Sequence, residues 1–377
     1  MMTNSPNKKR FIELDILRIL ALFLIFYVHS TDYIDKSFVV EWFRDGATYI
    51  GLGIFVFLSG YGLQYSITGK EFEILPFLKK RILKIYPLYL FSLFIYIFLF
   101  HFLKIYHVWW NFSPINQTIF LHLFSLQVIF SPIYPQIYTL WFIGLIIPLY
   151  FIFAIIAKNN NSKFIKYNIG IFLFLIIIRI LFHIIDLRFF LYYPIFIIGI
   201  LYARKQILNK LVSFFIIKKN IGKLSLYSAV LSFICIALYF CYKKFWNIPI
   251  PIKNFNIDVH LISYIVIFSY TILAINCLIT ITFLLSHIFN RKVQSFANFI
   301  SYLSAISYPA YLLHRVIYAI AYFLILNVLN ISSKIGTILF PLVTILLFMV
   351  ATFISRWEKL IVNWVFKKLE VEKKVIS

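Results

Sequence analysis

The stretch from Leu14 to His29, LDILRILALFLIFYVH, decides the fold class of this chain. It is apolar over most of its length, and crossing the hydrocarbon core of a bilayer takes about 20 such residues. Arg18 and His29 lie inside this apolar run. An α-helix turns about 100° per residue, so residues eleven positions apart share a face and lie about 16 Å apart along the axis. The segment is therefore predicted to be a membrane-spanning helix with two ionisable groups on one face.

Nine further apolar segments follow this first one. The ten predicted spans lie at residues 13–31, 46–66, 86–103, 139–157, 168–185, 189–203, 224–242, 259–287, 304–326 and 336–355. Hydrophobic residues make up 62% of the 377 residues and charged residues 13%, too few to cover soluble domains, which average about 25%. The sequence predicts an all-α, polytopic integral membrane protein with about ten transmembrane helices. We expect one domain over residues 1–377, with a short cytoplasmic tail at 356–377 and no separate soluble domain.

The basic residues predict the orientation of the chain in the membrane. There are 36 Lys and Arg against 13 Asp and Glu, which gives a net charge of +23. With the N-terminus in the cytoplasm, 25 basic residues lie inside, eight lie outside and three lie within spans. Lys and Arg in short loops favour the cytoplasmic side, so both termini are predicted to be cytoplasmic. The same pattern explains the positive charge without a nucleic-acid partner.

The ionisable residues within the spans are candidates for function, because each costs a few kcal/mol to insert. Arg18 and His29 fit a polar channel, with a cation for an anionic ligand and an imidazole for proton transfer. Snorkelling of Arg18 and an interfacial position of His29 would explain the same pattern. Both interpretations stay open at this point.

Two later spans carry further ionisable groups. In the fifth span, Arg179, His183 and Asp186 have the spacing i, i+4 and i+7, which predicts one stripe that forms an internal ion pair or contacts a substrate. In the ninth span, His314 precedes Arg315, and Pro309 predicts a kink. Adjacent helical side chains point about 100° apart, so only one of these two is expected to face a given cavity.

Glycines and basic residues mark two other regions, each with two interpretations. The second span holds five of the eleven glycines, which either pack helices or let backbone near Ser59 approach a ligand. Arg81 and Lys84, at i and i+3, reflect membrane topology or form a rim that binds phosphates.

Taken together, these stretches resemble the membrane-bound acyltransferase-3 family, bacterial enzymes that O-acylate extracytoplasmic carbohydrates and related acceptors. The resemblance covers nearly the whole chain. Its motifs are Leu14-Asp15-x-x-Arg18 followed by His29, then FVFLSGY at 55–61, RILKIYPLY at 81–89, LWFI at 140–143, FIIG at 196–199 and SYPAYLLH at 307–314. Each motif is weak alone, but six in the family's order on ten spans make a specific match.

The resemblance implies roles for several residues. His29 is the expected catalytic imidazole, Arg18 is its partner on the same face, and Arg81 and Lys84 are expected to bind acyl-CoA. The family's basic pair is usually Arg-x-x-Arg, and Lys84 keeps the charge but loses the bidentate fork. Many members carry a Glu shortly after Trp141, which this chain lacks. Further candidates for substrate contact are Asp15, Ser59, Trp141, Arg179, His183 and His314.

The function implied is transfer of an acyl group, with acetyl expected, from cytoplasmic acyl-CoA to a hydroxyl of an extracytoplasmic or lipid-linked carbohydrate. His29 is the expected general base, because a neutral imidazole takes a hydroxyl proton near neutral pH. Acyl-CoA is a donor substrate, and no metal or permanently bound cofactor is expected. The expected location is the bacterial cytoplasmic membrane.

Three other classes of membrane protein remain as alternatives. One is a transporter or flippase whose path is lined by Arg18, Arg179, His183 and His314. The second is a glycan polymerase, although the longest predicted outer loop, at 104–138, is short for that class. The third is a non-catalytic membrane scaffold, which ionisable residues in several spans argue against. The acceptor and the oligomeric state stay open.

Overall fold

The computed structural model describes residues 11–34, 41–102, 115–137, 139–211, 213–214, 220–246, 259–288 and 294–376. Within these ranges the chain forms thirteen α-helices and no strand. The helices are α1 (Ile12–Ser30), α2 (Glu41–Ile67), α3 (Ile74–Tyr96), α4 (Ile115–Leu123), α5 (Trp141–Ile156), α6 (Asn161–Phe182), α7 (Leu187–Arg204), α8 (Ile207–Leu211), α9 (Ile221–Trp246), α10 (Val259–Ile288), α11 (Gln294–Ala305), α12 (Ser307–Phe323) and α13 (Ser333–Ile376).

Eight of the described helices are long and apolar enough to cross a membrane, namely α2, α3, α6, α7, α9, α10, α12 and α13. The other two predicted spans fall on α1, which carries Glu13, Asp15 and Arg18, and on the shorter α5. Large apolar side chains are exposed on the outside, such as Phe233 at 73% and Ile338 at 71%. Such a surface suits lipid rather than water. The predicted all-α, polytopic membrane fold is confirmed.

Glycines let α2 and α7 pack with their backbones in contact. A Cβ on Gly60 would lie 2.2 Å from the Phe196 carbonyl oxygen, and a Cβ on Gly199 would lie 2.2 Å from the Phe57 carbonyl oxygen. Both distances are far below van der Waals contact, so a side chain at either position would push the helices apart. Among the glycines of the second span, Gly46, Gly51, Gly53 and Gly60 all lie against other helices, which supports the helix-packing interpretation for these four, whereas Gly62 has open space beside it.

The predicted ninth span, 304–326, is divided between two helices. Helix α11 ends at Ala305 and α12 begins at Ser307, so Pro309 lies in the first turn of α12 instead of kinking a continuous helix. Proline is tolerated there because the first amide groups of a helix have no intrahelical acceptor.

The predicted tail at 356–377 continues the last helix. Helix α13 runs from Ser333 to Ile376 without a break, and residue 377 lies outside the described residues.

The predicted loop at 104–138 contains α4, while residues 103–114 and 138 lie outside the described residues. The side chain of His122 holds together the described part of this loop. Its Nδ1–H donates to the Thr118 carbonyl oxygen at 2.7 Å, and its Nε2 accepts from the Ile137 amide at 3.1 Å. Burial lowers the pKa of His122 to about 4, so the ring is neutral. The Tyr89 hydroxyl donates to the His122 carbonyl oxygen at 2.7 Å, which ties this segment to α3.

Candidate active site

His29 lies in the last turn of α1 and is held by Arg315 of α12. Arg315 donates to His29 Nδ1 from Nε at 3.1 Å and from Nη2 at 2.7 Å. The same Nη2 lies 3.3 Å from Asp32 Oδ2, where it forms an ion pair. The Arg315 side chain is 12% exposed and that of Asp32 is 51% exposed. The guanidinium therefore joins the imidazole to a carboxylate at the molecular surface.

His314 stacks on His29, with ring centroids 5.0 Å apart and planes 26° apart. It is fully buried. Its Nδ1–H donates to the Tyr311 carbonyl oxygen at 2.6 Å, since a carbonyl only accepts. Its Nε2 is buried and has no hydrogen-bond partner among the described residues. The prediction that only one of His314 and Arg315 faces the site is wrong, because both reach His29.

Aromatic side chains surround the two imidazoles. Phe26 and Tyr318 have ring centroids 5.3 Å and 6.0 Å from that of His314, and Tyr311 lies at 5.8 Å. All three are buried. A low-polarity wall of this kind strengthens the hydrogen bonds inside it.

A second polar group lies at the N-terminal end of α1. Arg18 Nη1 donates to Ser304 Oγ at 2.8 Å and lies 3.5 Å from Asp15 Oδ1. Asp15 is buried and accepts from Ser304 Oγ at 2.6 Å and from Ser301 Oγ at 3.4 Å. These bonds fasten α1 to α11. Arg18 and His29 thus both face the α11–α12 segment, which confirms their predicted common face.

Two more cations lie near Arg18. Arg81 Nη2 donates to Ser66 Oγ at 3.0 Å, and its Nε is buried without a hydrogen-bond partner among the described residues. The Lys84 ammonium is close enough to Arg81 and Arg18 to be repelled by their charges, and it is attracted by the carboxylate of Glu358. The structure therefore brings together Arg18, Arg81 and Lys84, and we call these three residues the cation cluster.

Ser59 is linked to the same region through Tyr150. The Tyr150 hydroxyl interacts with the Ser59 side chain and with the charges of Arg81 and Arg18. Ser59 therefore borders the cation cluster, in the part of α2 that the sequence marked.

Trp141 lies in a third group, at the N-terminal ends of α5 and α7. The Arg188 guanidinium stacks on it at 4.0 Å from the ring centroid and pairs with Asp186 at 2.5 Å. Asp186 also accepts from Ser131 Oγ at 2.7 Å and from Gln136 Nε2 at 3.1 Å. Burial alone would raise the pKa of Asp186, but the hydrogen bonds and charge of Arg188 outweigh it and hold the pKa at about 2.

The predicted stripe of Arg179, His183 and Asp186 does not form. Helix α6 ends at Phe182, and His183 follows it as an exposed residue in the left-handed conformation, with φ of 53°. Arg179 Nη1 donates to the Ile185 carbonyl oxygen instead of pairing with Asp186. The three residues miss a common face because the helix stops before the second of them. Substrate contact by Arg179 and His183 stays a prediction.

Sequence reasoning did not consider Asp32, and it named Arg315 only as an ionisable neighbour of His314 without giving it a role in the site. Asp32 follows His29 by three positions, which is the spacing of neighbours on a helix face, and this spacing could have indicated that the two residues lie close together. The only sequence signal for Arg315 was its position beside His314 in an apolar segment.

The fold and the site define a class of protein: a polytopic α-helical membrane protein with a histidine–arginine site at one end of its first helix and the cation cluster near the other. A family model described as an acyltransferase domain, that of acyltransferase-3, matches residues 11–357. The chain belongs to this family and is a membrane acyltransferase, which selects among the classes left open by the sequence. Comparisons with curated proteins and with solved structures gave no significant match.

Proposed function

We propose that this acyltransferase moves an acyl group, with acetyl expected, from cytoplasmic acyl-CoA to a hydroxyl of an extracytoplasmic or lipid-linked carbohydrate, with His29 as general base. The observation that carries the proposal is the pairing of two polar groups along α1. Arg18 belongs to the cation cluster, and His29 lies on the same face about 16 Å further along the helix.

The cation cluster is the proposed site for the phosphates of acyl-CoA. Three positive side chains come from α1 and α3, and the buried Nε of Arg81 is a donor without a partner among the described residues. Charged hydrogen bonds to phosphate are strong, and Arg presents several donors at once. The predicted topology puts this end of α1 in the cytoplasm, where acyl-CoA is found.

The His29 end is the proposed site of chemistry. The hydroxyl oxygen of the acceptor attacks the thioester carbonyl while the imidazole takes the hydroxyl proton. One C–O ester bond forms, one C–S bond breaks, and the proton passes from His29 to the departing CoA thiolate. The buried aromatic side chains around His314 support the proposal because an apolar lining strengthens the hydrogen bonds and charge interactions of the site.

The acceptor is tested by mass spectrometry of surface glycans from a strain that lacks the gene. We expect the loss of one acyl mass from a specific glycan and its return when the parent protein is supplied. The return should fail with His29→Gln expressed at the parent level. Glycans of unchanged mass in the deletion strain would contradict the proposed acceptor class.

The orientation is tested by labelling single cysteines placed at residues 253 and 373. The first should react with an impermeant reagent from outside the cell, and the second only after the membrane is opened. The reverse pattern would contradict cytoplasmic termini.

A further inference from the structure

The hydrogen bonds to His29 determine which of its ring nitrogens carries the proton. A guanidinium has five N–H donors and no acceptor, so His29 Nδ1 must accept from both Nε and Nη2 of Arg315. In the neutral ring the proton is then on Nε2. An imidazole in this tautomer has no lone pair on Nε2 with which to take a hydroxyl proton. The arrangement that holds His29 in place therefore holds it in the wrong tautomer for a base.

Asp32 competes with His29 for the same guanidinium. Arg315 Nη2 lies 2.7 Å from His29 Nδ1 and 3.3 Å from Asp32 Oδ2. The carboxylate oxygen is thus within about 6 Å of Nδ1. A carboxylate accepts from a guanidinium or from an imidazole N–H, whereas a guanidinium only donates. A small movement of Arg315 towards Asp32 frees Nδ1, and the charges favour that movement because Asp32 and Arg315 are opposite in sign.

We propose that Asp32 and Arg315 are positioning residues that set the tautomer of His29, an inference that rests on the proposed role of His29 as general base. With Arg315 on His29, the ring carries its proton on Nε2 and is inactive. With Arg315 on Asp32, the proton moves by exchange with water to Nδ1, and the Nε2 lone pair takes the hydroxyl proton. The Asp32 carboxylate then also offsets the positive charge of the guanidinium, which would otherwise oppose the imidazolium that forms when His29 takes the proton.

Chemical labelling tests the tautomer control without any acceptor or acyl donor. Diethyl pyrocarbonate acylates a free lone pair of neutral imidazole, and mass spectrometry of the His29 peptide in the purified full-length protein gives the rate. We expect Arg315→Met, which keeps an unbranched side chain but has no N–H donor, to raise this rate several-fold and Asp32→Asn to lower it several-fold. The double variant should behave like Arg315→Met. The exposed His183 serves as an internal control whose rate stays constant.

Two results of the labelling would overturn the proposal. One is an equal rate for His29 in the parent and in Arg315→Met, which would mean that the guanidinium does not occupy the lone pair. The other is that Asp32→Asn lowers the labelling rate of His29 just as much when Arg315 has been replaced, which would mean that Asp32 does not act through Arg315.

Steady-state kinetics with acyl-CoA give a second readout. We expect Asp32→Asn to lower kcat at least about tenfold, within the range of general-base effects, and to leave the KM for acyl-CoA unchanged. Asp32→Glu should recover most of the loss, and Glu71→Gln, which removes an exposed carboxylate, should match the parent. The effect of Asp32→Asn should largely vanish in the Arg315→Met background, because coupled residues give non-additive changes.

The two proposals fail in different ways. Full activity of His29→Gln would refute the proposed role of His29, whatever the positioning residues do. Inactive His29→Gln together with parent-like kcat in Asp32→Asn would refute only the control of the tautomer.

Discussion

Replacing His29 by Gln is expected to lower the rate of acyl transfer by about 10²–10⁴-fold and to leave the protein folded. The side-chain oxygen of Gln can accept from the guanidinium of Arg315, which donates to His29 Nδ1 at 2.7 Å in the parent. The change therefore keeps the hydrogen bond between α1 and α12. It removes the ring that stacks on His314 at 5.0 Å, and such a pair contributes about 0.5–1.5 kcal/mol. Gln takes no proton near neutral pH, so the chemistry is lost while the fold is largely kept.

The measurement is acyl transfer from labelled acetyl-CoA to glycan in membrane vesicles, with the amount of protein matched by fluorescence-detected size exclusion. Thermal unfolding in detergent gives the control for the fold, and a shift of only a few degrees is expected. A rate above about a tenth of the parent rate, at matched expression, would contradict general-base catalysis by His29. His314, whose Nε2 is buried without a described partner, would then be the next candidate.

Three further predictions address the donor site, the helix packing and the ion pairs. Arg81→Gln should raise the KM for acyl-CoA, and the effect should be smaller in high salt because the Debye length shortens. Lys163→Gln, on the exposed part of α6, is the matched control. An unchanged KM in Arg81→Gln would leave only a topological role for Arg81. Gly199→Ala should destabilise the protein by about 1–3 kcal/mol, because its Cβ would lie 2.2 Å from a carbonyl oxygen of α2. Gly170→Ala, with nothing within 4 Å of the new Cβ, should be neutral. Equal melting temperatures for the two variants would contradict the packing argument. The pKa of Asp186 is held at about 2, below the value of about 3.9 in an unfolded chain. The stability that ionised Asp186 contributes is therefore fully present above about pH 3.9 and is lost as the pH falls towards about 2. Asp186→Asn should remove this part of the acid dependence of thermal unfolding.

The sequence by itself determined the features that depend on local pattern. The lengths of the apolar runs predicted the eight described helices that are long and apolar enough to cross a membrane, because crossing a bilayer requires a continuous apolar stretch with its backbone bonded internally. Helical periodicity placed Arg18 and His29 on one face, which their contacts with α11 and α12 confirm. The motifs also identified the family, which the family match confirms.

Only the tertiary structure decided which side chains meet across helices. Arg315 reaches His29 from 286 positions away, and Ser304 reaches Asp15 from 289. Such pairings depend on the rotation and crossing of whole helices, which the period of one helix does not specify.

Local chain geometry produced the remaining differences. The left-handed turn at His183 ended α6 one residue before the second member of the predicted stripe, and the break at Ile306 turned an expected proline kink into a helix start. A hydropathy pattern reports that a segment is apolar, and it does so equally for a straight helix and for a broken one. The helix ends are set by backbone bonds and by packing against neighbours, and these exist only in the folded protein.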